Sequence, residues 1–149
     1  MSQRLFGFTT KLGKVPELGE ENLVSMVGRR LLMFDRIMEK YVDDMEQIVI
    51  VGAGFDLIAV HFTKGKTVKV FELDQVNTMN IKVETLKKAE ITHDWITYIP
   101  VDYAHESWVE KLLGAGFDNT KRTLFLWQSV SLYLEADIAK ETLGKMADL

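Results

Sequence analysis

The chain has 149 residues, 47% apolar and 27% charged, with 18 Lys+Arg against 22 Asp+Glu for a formal net charge of −4; this is a globular composition at a length that suggests one domain. The absence of cysteine excludes disulfide scaffolds, thiolate zinc sites and cysteine nucleophiles. No apolar run approaches the roughly 18 residues of a membrane span, the N-terminus MSQRLFGFTTKLGK lacks the apolar core of a secretory signal, and the acidic balance disfavours nucleic acid, whose phosphates need a basic face, so the expected setting is cytoplasmic, with neither a membrane nor a nucleic-acid partner.

Met1 to Gly19 shows no period and reads as an N-terminal arm of a single domain spanning 1–149. Glu20 to Tyr41 reads as a helix, because Leu23, Val27, Leu31, Phe34, Met38 and Tyr41 recur at spacings of three and four. Gln47 to Val51, QIVIV, is short, β-branched and stopped by glycine, as a buried strand is. Phe55, Ile58, Ala59 and Phe62 predict a short helix, and Thr67 to Leu73 a second strand. Val76, Met79, Val83 and Leu86 mark the next helical face, and Trp95 to Val101 contains a third strand. SWVE at Ser107 to Glu110 is a capping-box pattern opening a helix that stops near Gly114 or Gly116. Arg122 to Trp127 is a fourth strand, and Ala136 to Met146 a last helix.

Strands alternating with helices imply right-handed crossovers and a parallel sheet covered on both faces. In such sheets ligands bind beyond the carboxyl ends of the strands, where strand order reverses. After the first strand stands GAGFD, in which Gly52 permits a tight turn and Gly54 a close backbone approach to a ligand. A full dinucleotide fingerprint has a third glycine where this chain has Leu57. After the second strand stands ELD. An acid about 20 residues past the first glycine is placed for the ribose of an adenosine, and both Glu72 and Asp74 satisfy that spacing. Each also suits a plain role at a helix N-terminus. Asp102, after the third strand, either accepts from an adenine amino group or caps a turn. Gln128, after the fourth, is a ligand contact or a buried hydrogen-bonding residue. His61, His93 and His105 share no metal-ligand spacing, so no metal site is expected, and neither a G-x-S-x-G elbow nor a Walker A pattern occurs.

The segments RRLLMFDRIM, IVIVGAGFD, VFELDQ, YIPVDY, the second GAGFD at Gly114 to Asp118, and LFLWQSVSLYL follow one another from Arg29 onward. In this order and spacing they resemble the leucine carboxyl methyltransferase family of S-adenosylmethionine-dependent methyltransferases, in its bacterial and fungal O-methyltransferase-like branch. The resemblance implies a Rossmann-like methyltransferase fold and S-adenosylmethionine as cofactor. Arg30 matches the family arginine that pairs with the methionine carboxylate of the cofactor, a task suited to a two-pronged guanidinium. Gly52 and Gly54 match the turn under the cofactor, Asp74 rather than Glu72 the ribose acid, and Asp102 with Tyr103 the pair beside the adenine. Gln128 stands where the family usually has glutamate, Ile58 where an arginine is common, and Val76 where proline usually follows ELDQ. Family members are considerably longer, so the resemblance also implies a sheet of about four strands lacking the C-terminal ones, with the fourth strand left as an edge.

The expected function is methyl transfer from S-adenosylmethionine to a carboxylate or hydroxyl oxygen of a small molecule or protein. Such a transfer needs near-attack placement and exclusion of water; a carboxylate acceptor needs no general base, and no catalytic residue stands out. The non-enzyme alternative is a truncated relic that binds cofactor or a protein partner, with self-association or a further segment covering the fourth strand. An NAD-dependent oxidoreductase is the third reading; Leu57 and the lack of a Tyr-x-x-x-Lys pair after the fourth strand speak against it.

Overall fold

A computed structural model describes residues 23–149, with side chains from Met26 onward; the expected arm, 1–19, lies outside the described residues. The chain divides into two units, 1–42 and 43–149.

In the first unit, α1 runs from Leu23 to Tyr41. Its buried positions are Gly28, Asp35 and Met38, with Leu31 and Phe34 half-buried. The buried stripe is therefore turned from the apolar one, and Tyr41 stays exposed, with the Lys40 ammonium 4.7 Å from its ring centroid.

The second unit alternates strands and helices. The elements are β1 (Gln47–Val51), α2 (Ile58–Thr63), β2 (Lys69–Asp74), α3 (Val76–Lys88), β3 (Ile96–Pro100), α4 (Trp108–Gly114), β4 (Thr123–Leu126) and α5 (Ala136–Ala147), with short 3-10 turns at Val42–Asp44 and Ser131–Tyr133. The four strands are all parallel, in the order β3-β2-β1-β4. The chain steps outward from β1 through β2 to β3 and then returns to the other side of β1. The order thus reverses between β1 and β4. Their carboxyl ends form the switch point at which open parallel sheets bind ligands.

Both faces of the sheet are covered, as a parallel sheet requires. On one face Val49, Val51, Phe71, Leu73, Ile99 and Val101 form a core with Trp108 and Leu112 of α4 and with Phe117. On the other, Ile48, Ile50, Val70 and Ile96 are buried, as are Met79 and Leu86 of α3 and Ile58 and Ala59 of α2. β1 is buried at all five positions because it is paired on both sides, whereas β4 is buried only at Leu126. Among the described residues β4 is an edge strand, as expected from the sequence, with β3 at the opposite edge, and Leu132, Tyr133, Ile138 and Leu143 after β4 remain exposed.

Local signals explain the boundaries. The Ser107 hydroxyl accepts from the Glu110 N–H at 3.3 Å, which starts α4. Gly116 then takes φ +91, its N–H bonding to the Leu113 carbonyl and that of Phe117 to the Leu112 carbonyl. This Schellman ending turns Phe117 back into the core. The fully buried Gln47 clamps the start of β1 to the approach to β4. Its amide donates to the Asp118 carbonyl and to Thr123 Oγ1, and accepts from the Asp118 N–H.

Candidate ligand site at the carboxyl ends of the strands

The turn after β1 is built on two left-handed glycines, Gly52 at φ +71 and Gly54 at φ +53. The N–H groups of Gly52 and Ala53 both donate to the Leu73 carbonyl, at 2.8 and 3.0 Å, so the turn is fastened to the end of β2. The two glycines face different surroundings. A Cβ on Gly52 would run into Val130 Cγ2, whereas one on Gly54 would meet nothing within 4 Å. Gly52 is needed where the loop after β4 closes on the turn; Gly54 opens onto free space.

Asp74 ends β2 beside this opening. Its Oδ2 accepts from the Gly54 N–H at 2.6 Å and its Oδ1 from the Gln75 N–H at 2.7 Å. These charge-assisted bonds fix the carboxylate, and an ionised carboxylate has acceptor capacity beyond two bonds. Glu72 lies on the same face of β2 one pleat deeper. It is fully buried, 2.6 Å from the Lys82 ammonium. Burial pushes its carboxyl up, against the pull of Lys82. The geometry thus separates two acids equally well spaced in sequence: Asp74 reaches the opening, and Glu72 is committed to the core.

Tyr103 comes to the same place. Its hydroxyl lies by the Gly52 backbone, and burial, with the Asp74 charge second, pushes its pKa up. Asp102 points differently. Its carboxylate accepts from the Ala104 N–H at 3.0 Å and contacts His105 Nδ1 at 2.8 Å. The His105 contact, more than the Ala104 bond, holds it below the usual carboxylate range. It therefore makes the local turn that was one of its two expected roles. Gln128 is half-buried just past β4. It precedes Ser129, which takes φ +63, unusual for a residue with a side chain, and has a buried Oγ without a partner. This kinked segment sets Val130 on Gly52. Arg30 is a half-buried residue of α1, in the first unit.

Lys82, Ser129 and Val130 were not singled out from the sequence. Lys82 occupies the buried stripe of α3 with Met79 and Leu86, while Val83 is only half-buried. One signal was available: a glutamate between Phe71 and Leu73 in an apolar parallel strand requires a buried cation nearby. Among the described residues, no group of three or more His, Asp or Glu could hold a metal ion, and no helix is long and apolar enough to cross a membrane. A groove of about 680 Å³ between β3 and α4 is lined by Tyr98, Pro100, His105 and Lys111, among others, but not by Gly52, Gly54, Asp74 or Gln128.

A family model described as leucine carboxyl methyltransferase matches residues 9–147. The chain belongs to the leucine carboxyl methyltransferase family. A Frankia alni protein, named as a candidate S-adenosyl-L-methionine-dependent methyltransferase, is 28% identical over 131 residues, 87% of this chain and 45% of the relative. A Bacillus subtilis protein of similar name, YktD, is 35% identical over 91 residues, 60% of this chain and 30% of its own length. The crystal structure of the S-adenosylmethionine-dependent methyltransferase SibL in its apo form aligns with a TM-score of 0.40 and 14% identity, over 71% of this chain and 38% of that one. The chain spans less than half the length of these relatives. The turn after β1 and the acid at the end of β2 are joined in this chain by the bond from the Gly54 N–H to Asp74.

Proposed function

We propose that this chain is the S-adenosylmethionine-binding part of an O-methyltransferase, forming one partial methyltransferase domain over 1–149. The observation that carries the reading is the Gly54 N–H held by Asp74 at 2.6 Å, at the switch point and beside open space. The cradle fits an adenosine: the backbone at Gly54 is approachable, and Asp74 is fixed with acceptor capacity to spare for ribose hydroxyls. When bound, the cofactor supplies an electrophilic methyl group on a sulfonium. The chain's own residues hold and orient. Gly52 and Gly54 lie under the ligand, Asp74 takes the ribose, Tyr103 and Asp102 flank the adenine, and Gln128 offers an amide. The acceptor is a carboxylate or hydroxyl oxygen of a small molecule or a protein, and a carboxylate needs no base. The setting is cytoplasmic, and self-association or a further segment covers the β4 edge.

Two features favour the alternative, a non-catalytic module that binds ligand or partner. Asp102 spends its carboxylate on Ala104 and His105, and Gln128 has no charge to set beside a sulfonium. A melting curve with and without excess S-adenosylmethionine or S-adenosylhomocysteine tests the reading, with NAD as control. Ligand at about 100 times its Kd adds roughly 2.7 kcal/mol, a rise of roughly 5–10 °C for a domain this size. A cooperative melt that neither compound moves refutes cofactor binding by this chain.

A further inference from the structure

We propose that Lys82 is a positioning residue, a buried strut that sets the glycine turn from beneath. The proposal rests on the reading above for the identity of the ligand. Lys82 Nζ lies 2.6 Å from Glu72 Oε2 and donates to the Asp56 carbonyl at 2.7 Å. Asp56 closes the turn: its N–H returns to the Ala53 carbonyl at 3.1 Å, and its Oδ1 accepts from the Ile58 N–H at 2.8 Å to open α2. α2 has six residues, and Leu57 offers it no side-chain cap. Two side chains from outside thus grip the turn: Asp74 takes Gly54 at its open end, and Lys82 takes Asp56 at its far end.

The pair is poorly built for stability. Both groups are almost completely buried, at 0% and 2% exposure. Glu72 Oε1 has no partner, and neither has the hydroxyl of Tyr98, directly across the β2–β3 register. Buried ion pairs repay their desolvation only when every remaining site is satisfied, and apolar replacements are often as stable. What an apolar replacement cannot supply is a donor to the Asp56 carbonyl. The lysine reaches past its counter-ion to the backbone of the ligand turn, so its role lies in placement.

The test compares wild type with Glu72→Gln, which keeps the lysine on Asp56, and with Glu72→Leu/Lys82→Met, which removes both charges and leaves no buried charge unpaired. The readouts are amide hydrogen exchange without ligand, the melting temperature, and the affinity for S-adenosylhomocysteine by calorimetry. The double variant is expected to melt within a few degrees of wild type. Exchange at residues 53–58 should quicken about tenfold while β1 and β2 hold, and affinity should fall about tenfold or more, as misplacement near a reacting centre costs. Glu72→Gln should leave turn exchange within about twofold. Wild-type exchange in the turn of the double variant overturns the strut, and so does unchanged affinity with quickened exchange. Because exchange is read without ligand, a wild type that binds no S-adenosylhomocysteine refutes the ligand assignment separately. If leucine does not fit the site, Glu72→Gln/Lys82→Met replaces the double variant.

Discussion

Replacing Gly52 with alanine probes the contact that closes the switch point. At φ +71 a side chain costs roughly 1–2 kcal/mol for the left-handed backbone. The new Cβ also runs into Val130 Cγ2. Overpacking of this kind costs about 1–3 kcal/mol, and valine, branched at Cβ, has few χ1 wells to escape into. The sum is about 2–5 kcal/mol, a large share of the 5–15 kcal/mol that holds a typical domain. Gly54→Ala is the internal control: at φ +53 with nothing within 4 Å, only the backbone cost of roughly 1–2 kcal/mol applies. The assay is urea unfolding by circular dichroism on five proteins: wild type, Gly52→Ala, Gly54→Ala, Val130→Ala and the Gly52→Ala/Val130→Ala double variant. Truncating Val130 removes the clashing methyl, so Gly52→Ala should cost about 1–3 kcal/mol less in that background. An equal cost in both backgrounds refutes the packing of the β4 loop on the glycine turn.

Asp74→Ala should abolish S-adenosylhomocysteine binding by calorimetry, since it removes both the proposed ribose acceptor and the Gly54 anchor; unchanged affinity removes Asp74 from the site. Gln128→Glu should tighten S-adenosylmethionine binding if, as proposed, the position faces the sulfonium, because it adds a negative charge there; no change in calorimetric affinity assigns that position to structure. Ser129→Gly should raise the melting temperature, because it relieves a side chain at φ +63 and deletes an unpartnered buried hydroxyl; a fall would mean the hydroxyl is held. Asp118 sits below its ordinary 3.8, first through the Thr120 hydroxyl. A depressed carboxyl stabilises the fold above 3.8 and loses that share as pH falls through its folded value. The stability gap between wild type and Asp118→Asn should therefore shrink from pH 7 to pH 3 in thermal melts. A constant gap places the effect elsewhere.

The order of elements was legible along the chain because each strand is a short apolar run ended by a turn and each helix has its own apolar period. The Ser107 cap and the Gly116 stop are local in sequence and were visible there. Edge exposure at β4 followed from counting strands. The buried side of α1 is not legible in its apolar period, because apolarity marks a broad arc of a helix, and Gly28 and Asp35, neither of them a large apolar residue, share the buried side with Met38. Lys82 was invisible for a related reason: a lysine on an amphipathic helix looks solvated until a buried carboxylate faces it.

The sequence by itself determined the alternating parallel architecture, the glycine turn, the two acids spaced for a ribose, and the family. These are properties of period, turn chemistry and order, all carried by near neighbours. Spacing alone left Glu72 and Asp74 equivalent; only the tertiary structure showed their different surroundings, one pleat of depth apart in the same strand, with Glu72 on Lys82 and Asp74 on the Gly54 N–H. It also brought Val130 onto Gly52 and Lys82 beneath Asp56, contacts between residues 78 and 26 positions apart. Such pairings are fixed by which strands lie side by side and which helix covers them, and linear spacing carries no record of that.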